Sequence, residues 1–294
     1  MASSLRTRRS HTIGVVLPDI CNPVYPPILL GIEKVLSQNG YVALVANAGS
    51  DRAQQRFVVD QMLARQVEGL ILATVTRRDP VLAHCLEDGI AVITVNRSAD
   101  KGEVPAVVSD DRLGMRLTVE HLAGLGHRHI AHIAGPQTLS TGHLRKQGFV
   151  AAMKACRLEA HVVPADAFTR ESGRAACAVI LDQFPEITAI AAGNDLIALG
   201  CYDALRAAGR RCPEDVSVVG YDDMPLADML APPLTTIRIA LNEMGVQAAQ
   251  LLLDHIHGAQ TGAGRIVLPP ELVVRGSTAA PRKSAAKRIG RTGK

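Results

Sequence analysis

Residues 12–17 read Thr-Ile-Gly-Val-Val-Leu, an unbroken apolar run that stops at Pro18-Asp19. It gives way to the spaced apolar residues Ile28, Leu29, Ile32, Val35 and Leu36. An apolar run, a turn and then a stripe of period 3.6 spell a buried strand followed by a helix. The same unit recurs nearly to the C-terminus. Strand candidates are Thr12–Leu17, Val42–Ala46, Gly69–Ala73, Ala91–Val95 and Ala106–Ser109, then His129–Ala134, His161–Val163, Ile187–Ala192, Val216–Gly220 and Thr235–Ile239. Helical spacing covers 25–38, 52–65, 80–87, 111–124, 142–156, 171–183, 195–208 and 242–256, with stops at Gly40, Gly89, Gly126 and Gly209. Such alternation builds parallel sheets covered by helices on both faces. Ten strands in two groups exceed one comfortable sheet. The predicted fold is therefore α/β, two similar doubly wound parallel-sheet lobes with a ligand cleft between them. The last helix and the segment 266–274 have no lobe of their own. They are expected to pack back on sheets already built, so that the chain crosses between lobes more than once.

A chain of 294 residues with 47% hydrophobic residues can fill two cores, built from Ala, Val, Leu and Ile since aromatics are only 3%. No apolar run approaches the roughly 20 residues of a membrane helix. The basic N-terminus is not followed by a signal-peptide core. The expectation is a soluble, cytoplasmic protein with no membrane partner. Six cysteines without a Cys-x-x-Cys pair fit free thiols in a reducing compartment. Residues 1–11 carry three Arg and no acid, and 282–294 carry six Lys or Arg and no acid. The remaining 23 bases against 28 acids leave a mildly acidic body with basic ends. A basic end suits a polyanion, but residues 279–294 read best as a solvated, disordered tail.

Catalytic signatures are missing. There is no Gly-x-Gly-x-x-Gly after the first strand, no Walker loop, no Gly-x-Ser-x-Gly and no His-Glu-x-x-His. His121, His127, His129 and His132 straddle a helix, a turn and a strand, so packed histidines are expected rather than a metal site. The reading is a non-enzyme with no cofactor and no metal.

Polar residues at strand ends carry more. Asn22, Asn47, Arg97 and Asp110 follow strands of the first group; Thr141, Arg145, Asn194-Asp195 and Asp222-Asp223 follow strands of the second. In a doubly wound fold such positions converge on the ligand. An Arg among Asp and Asn side chains suits a polyhydroxylated or carboxylated small molecule, since each hydroxyl both donates and accepts. Helix N-capping is the competing explanation for any one of them, above all for Asp111 and Asp195.

The order of motifs resembles the lactose-repressor/galactose-repressor (LacI/GalR) family of bacterial transcription regulators over about residues 2–278. The motifs are Thr12-Ile-Gly-Val-Val-Leu-Pro-Asp with Asn22-Pro23, Gly69-Leu-Ile-Leu, and Gly126-His-Arg-His-Ile-Ala131 with Ala134-Gly-Pro136. Arg145-x-x-Gly148-Phe149, Asn194-Asp195 with Ala198-Leu-Gly200, Gly220-Tyr-Asp-Asp223 and Pro233-Leu-Thr-Thr-Ile237 follow in register. The resemblance implies a fold like periplasmic sugar-binding proteins (type I) with three crossovers. Lobe boundaries would fall at 12–108 plus 240–267 and at 109–239 plus 268–278. It implies that Arg145, Asn194 and Asp222 contact a small-molecule effector such as a sugar or sugar acid, with Thr141, Tyr25 and Asn22 lining the pocket. It also implies a homodimer whose affinity for operator DNA is set by that effector. A solute-binding protein of a sugar uptake system, which shares the fold, is the alternative.

Family members begin with about 60 residues of helix-turn-helix and hinge, whereas residues 1–11 match only the end of that hinge. Ala2-Ser-Ser-Leu5 resembles the hinge pattern, with Leu5 as the wedge that enters the minor groove and Arg6, Arg8 and Arg9 beside it. A recognition helix is not in this chain, so operator DNA is a partner only if the gene product is longer. A miscalled start, a lost module and an effector-domain fragment each fit, and the natural-looking tail favours the first two.

Overall fold

A computed structural model describes residues 10–49, 51–102, 104–259 and 264–282. The first six-stranded sheet contains β1 (Thr12–Leu17), β2 (Val42–Asn47), β3 (Gly69–Leu72), β4 (Ala91–Val95), β5 (Ala106–Ser109) and β11 (Arg265–Leu268). Their order is β11-β5-β4-β3-β1-β2, and every pairing is parallel. The second contains β6 (Ile130–Ala134), β7 (His161–Pro164), β8 (Ala189–Ala192), β9 (Ser217–Asp222), β10 (Thr235–Arg238) and β12 (Glu271–Val273). Its order is β12-β10-β9-β8-β6-β7, parallel except for β12. The two-lobed α/β fold read from the sequence is therefore the fold observed.

The helices are α1 (Tyr25–Gln38), α2 (Arg52–Ala64), α3 (Pro80–Glu87), α4 (Asp111–Gly124), α5 (Ser140–Ala155), α6 (Arg170–Gln183), α7 (Asp195–Ala207) and α8 (Leu241–Ile256). Their starts follow local chemistry. Pro26 and Pro27 open α1, where a missing N–H costs nothing. Asp51, Asp79, Asp110, Thr169 and Asn194 cap α2, α3, α4, α6 and α7 through side-chain oxygens. Gly40 and Gly126, at φ 77° and 100°, turn the chain away after α1 and α4 in a conformation other residues resist. The central strands are buried on both faces, as parallel sheets require.

The chain passes between the sheets after β5, after β10 and between β11 and β12. Helix α8, from late in the sequence, packs on α1 and across β3 and β4 of the first sheet. Two glycines let those helices touch. A Cβ on Gly31 would lie 2.1 Å from the Asn242 carbonyl oxygen, and one on Gly245 would lie 2.0 Å from that of Ile28.

The C-terminal strap is bound further than the sequence reading allowed. The Ala279 N–H donates to Ser217 Oγ at 3.1 Å, and its carbonyl accepts from His127 Nε2 at 2.9 Å. Arg282 pairs with Asp215 at 2.8 Å. Residues 279–282 thus belong to the folded body, because β9 and the turn before β6 offer partners for them.

Strand order places the site. In the first sheet it reverses between β1 and β3, and in the second between β6 and β8. A crevice opens at each such switch point, beyond the carboxyl ends of the strands. Asn22 and Thr74 follow β1 and β3; Thr141 and Asn194 follow β6 and β8.

Candidate effector-binding site

The two crevices meet in one cleft with two chambers. The deep chamber, about 20 Å³, is lined by Asn22, Val24, Tyr25, Asn96 and Arg97 from one lobe and by Thr141, Arg145, Phe168, Asn194 and Asp222 from the other. It is about the size of one water molecule. In front lies an outer chamber of about 700 Å³ that shares Asn22, Tyr25, Arg97 and Phe168 with the deep one. Asn47 lines only the outer chamber, where its Oδ1 accepts the Ile20 N–H at 3.0 Å. Beside the cleft the lobes are hydrogen-bonded to each other. The Ser98 N–H donates to Ser140 Oγ at 3.0 Å, and the Arg77 N–H donates to the Thr138 carbonyl at 2.9 Å.

Arg145 organises the deep chamber. Its Nε–H donates to Asp111 at 2.8 Å, Nη1 to the Gly193 carbonyl at 2.7 Å and Nη2 to Asp222 at 3.2 Å. Its guanidinium carbon lies 3.7 Å from the centroid of the Tyr221 ring and 5.8 Å from that of Phe168. Arg145 and Asp111 side chains are each 4% exposed, so this is a charge network removed from water. Three of the five guanidinium N–H groups are committed to these protein partners.

Burial works against the Arg145 charge, but the Asp111 and Asp222 carboxylates more than offset it and hold the guanidinium protonated. Burial also raises both carboxyls, against the pull of Arg145. Asp222 is pushed up to about 6, and Asp111 is raised in the same direction. The Tyr25 phenol is raised by burial while the Arg97 charge works the other way. Asp195, pushed up to about 8 by burial and then by the negative Asp222, accepts from Met224 N–H at 2.7 Å and Thr236 Oγ1 at 2.6 Å.

Two features of the deep chamber's walls stand out. Thr141 Oγ1 and Arg97 Nε are buried in its walls without a hydrogen-bond partner. Asn96 and Asp222 hold positive φ, at 64° and 114°, which is strained backbone of the kind found at ligand clamps.

Of the residues singled out from the sequence, Arg145, Asn194, Asp222, Thr141, Tyr25, Asn22 and Arg97 come together around the deep chamber. Asp110 does not. Its carboxylate caps α4 by accepting the Leu113 N–H at 3.0 Å, and it faces a groove with Arg112 and Gln147 instead. One step along a helix start turns a side chain by about 100°, so Asp111 takes the place beside Arg145. Capping and interior roles are thus reversed from the sequence reading of Asp111. At α7 Asn194 both caps, through Ile197 N–H at 2.9 Å, and lines the cleft. Gln55 in the outer chamber was missed, although it sits on the buried stripe Gln55, Val58, Val59, Met62 of α2. A polar residue at a core position was the available signal. Leu5, Arg6, Arg8 and Arg9 lie outside the described residues.

The histidines serve packing. His127 bridges Thr188 and Ala279, His121 meets Thr278, and His132 stacks on Phe149 at 5.0 Å between ring centroids. Among the described residues no His, Cys, Asp or Glu group is arranged to hold a metal ion, and no helix is long and apolar enough to cross a membrane.

Comparison with known proteins gives the same architecture. Residues 119–278 match the periplasmic binding protein-like domain. The chain is 32% identical over 284 residues to the HTH-type transcriptional repressor CytR of Escherichia coli K12, covering 95% of this chain and 83% of CytR. The structure of a transcriptional regulator CelR–cellobiose complex superposes with a TM-score of 0.85 at 34% identity, covering 92% of this chain and 85% of that one. The lac repressor dimer bound to operator and the anti-inducer ONPF gives 0.85 at 28% identity, covering 95% and 98%. A shared fold and shared sequence along nearly the whole chain lead to one conclusion: the chain belongs to the LacI family of transcriptional regulators and carries their effector-binding core.

Proposed function

We propose that a small polyhydroxylated metabolite, most simply a neutral sugar, binds between the lobes around Arg145, Asn194 and Asp222, and that this sets the affinity of the full regulator for DNA. Asn22, Tyr25, Arg97 and Thr141 complete the pocket, with Asn47 at its outer edge. One observation carries the reading: Thr141 Oγ1 and Arg97 Nε are buried in the cleft wall with nothing to bond, and a hydroxyl would satisfy either. At Arg145 charge favours a hydroxyl over a carboxylate. Asp111 and Asp222 already neutralise Arg145, so it offers directed donors rather than free positive charge. CelR has been solved with cellobiose, which fits the same class of guest.

The chain works as a homodimer in the cytoplasm, as expected of a regulator similar to a repressor solved as a dimer on its operator. Closure of one lobe on the other around the guest changes the spacing of the two DNA-binding ends, so guest and DNA affinities are linked reciprocally. The guest is not transformed.

The test is calorimetric titration of mono- and disaccharides, followed by recovery of the bound compound and by operator binding of the full regulator with and without it. Saturable binding, unchanged compound and an altered operator affinity are expected. Turnover of the compound would refute the binding-only reading, and binding undisturbed by Arg145→Ala would move the pocket elsewhere.

A further inference from the structure

We propose that a second pocket, wholly on the first lobe and apart from the cleft, binds a small organic phosphate. It lies where the loops after β3 and β4 meet the starts of α2 and α3. Arg52, Arg77, Arg78, Asp79, Asp100 and Lys101 surround a concavity of about 680 Å³. That volume is within the roughly 300–1,000 Å³ range of pockets that enclose a ligand. Arg52 alone is shared with the outer chamber of the cleft, and no residue is shared with the deep one.

Four cations and two carboxylates leave an excess of two positive charges, on a body that is otherwise mildly acidic. Both carboxylates are engaged inside the protein. Asp79 Oδ1 accepts the Val81 N–H at 3.0 Å and its Oδ2 the Thr76 N–H at 2.9 Å. Asp100 accepts from Arg77 Nε at 2.9 Å, while its own N–H donates to the Arg77 carbonyl at 2.8 Å. There remain Arg52, Arg78 and Lys101, which form no ion pair among the described residues. They come from the first turn of α2, the turn before α3 and the loop after β4. Folding, not a local run of sequence, brings their charges to one hollow.

Three cations without a counter-charge complement a phosphomonoester, which carries about two negative charges near pH 7 and three acceptor oxygens. Arg52 and Arg78 can each present paired N–H donors to two phosphate oxygens, and Lys101 adds a point charge. Pro80, Leu82, Ala83 and Ala99 line the same hollow with apolar surface, which suits a guest with a carbon body attached to its phosphate. The position is wrong for DNA. A DNA-binding segment would join ahead of residue 10, at the amino end of β1. The pocket lies beyond the carboxyl ends of β3 and β4, which run parallel to β1, at the opposite end of the sheet.

The experiment is calorimetry on the full chain in low salt with glycerol 3-phosphate, glucose 6-phosphate and inorganic phosphate, with glycerol and glucose as uncharged controls. At least one ester is expected to bind with a Kd below about 1 mM and about tenfold or more tighter than inorganic phosphate. Raising NaCl from about 50 to about 300 mM should weaken that binding, because the cations are open to solvent. Arg78→Ala combined with Lys101→Ala should weaken it at least about tenfold. Both side chains are at the surface, so the melting curve of this variant should match that of the wild type. Absence of binding by either ester overturns the proposal. Ester binding that survives the double substitution also overturns it, since the phosphate then sits elsewhere. Inorganic phosphate bound as tightly as both esters overturns an organic guest.

Discussion

The Nε–H of Arg145 meets the Asp111 carboxylate at 2.8 Å, joining the second turn of α5 to the first turn of α4 beneath the cleft floor. Asp222 completes the arrangement from the end of β9. Removing the guanidinium would strand two carboxylates away from water. Arg145→Ala is expected to abolish effector affinity and to lower the unfolding free energy by about 3–5 kcal/mol. Titration calorimetry and urea denaturation report the two effects separately. Asp111→Ala should lose stability in the same direction, because Asp222 alone then balances the charge.

Thr141→Val separates binding from folding. Valine has nearly the shape of threonine, and the hydroxyl it removes has no partner in the protein. Stability without effector should hold or rise by up to about 1 kcal/mol, while effector affinity falls about tenfold. A melting curve and one titration decide it. Unchanged affinity would show that this hydroxyl does not face the guest.

Stability should decline as pH rises through neutrality, with Asp195 as the cause. Its carboxyl is pushed up to about 8 in the folded protein, against about 3.9 in an unfolded chain. The folded state then holds the proton more tightly. The corresponding stability is fully present below about pH 4, diminishes from there, and is lost as pH passes about 8. Asp195→Asn cannot titrate, so its stability should vary less between pH 5 and 9. Parallel curves for the two proteins would rule Asp195 out.

Gly31→Ala tests the contact of α1 with α8. In an isolated helix the change gains about 1 kcal/mol. Here the new methyl would sit 2.1 Å from the Asn242 carbonyl oxygen, and backbone cannot step aside as a side chain can. Overpacking costs about 1–3 kcal/mol, so a net loss and a lower Tm are expected.

The proposed homodimer can be checked at the short turn Ala227–Met229 after β9. Leu226 is 64% exposed and Met229 is 77% exposed, two large apolar residues at either end of that turn. Leu226→Glu combined with Met229→Glu should halve the mass seen in sedimentation while effector affinity in the cleft persists. A dimer that survives both charges places the interface elsewhere.

Most of the fold was legible because buried parallel strands are written as uninterrupted apolar runs. Thr12–Leu17, Ala91–Val95 and Ala106–Ser109 have the bounds read from the sequence. Strands β11 and β12 were not separable, since edge strands of three or four residues with Arg265 and Glu271 in them carry little periodicity. In the site, Arg145, Asn194 and Asp222 stood out as polar residues at strand ends or in the helix that follows. Asp110 and Asp111 were transposed because both suit a helix start, and only the rotation about the α4 axis tells which one points inward. Gln55 hid in a helix, away from any strand end.

Helix α8 and strand β11 arrive late, and this shapes the birth of the molecule. When the ribosome has released Ile239, the first sheet still lacks the neighbour that pairs with β5 and the cylinder that lies over β3, β4 and α1. An open edge and a bare greasy flank are what a nascent chain must shield from other chains. The first sheet is complete only once that strand and that helix have both emerged. A transcript cut short before codon 268 would yield a sticky, half-roofed product rather than a smaller working one.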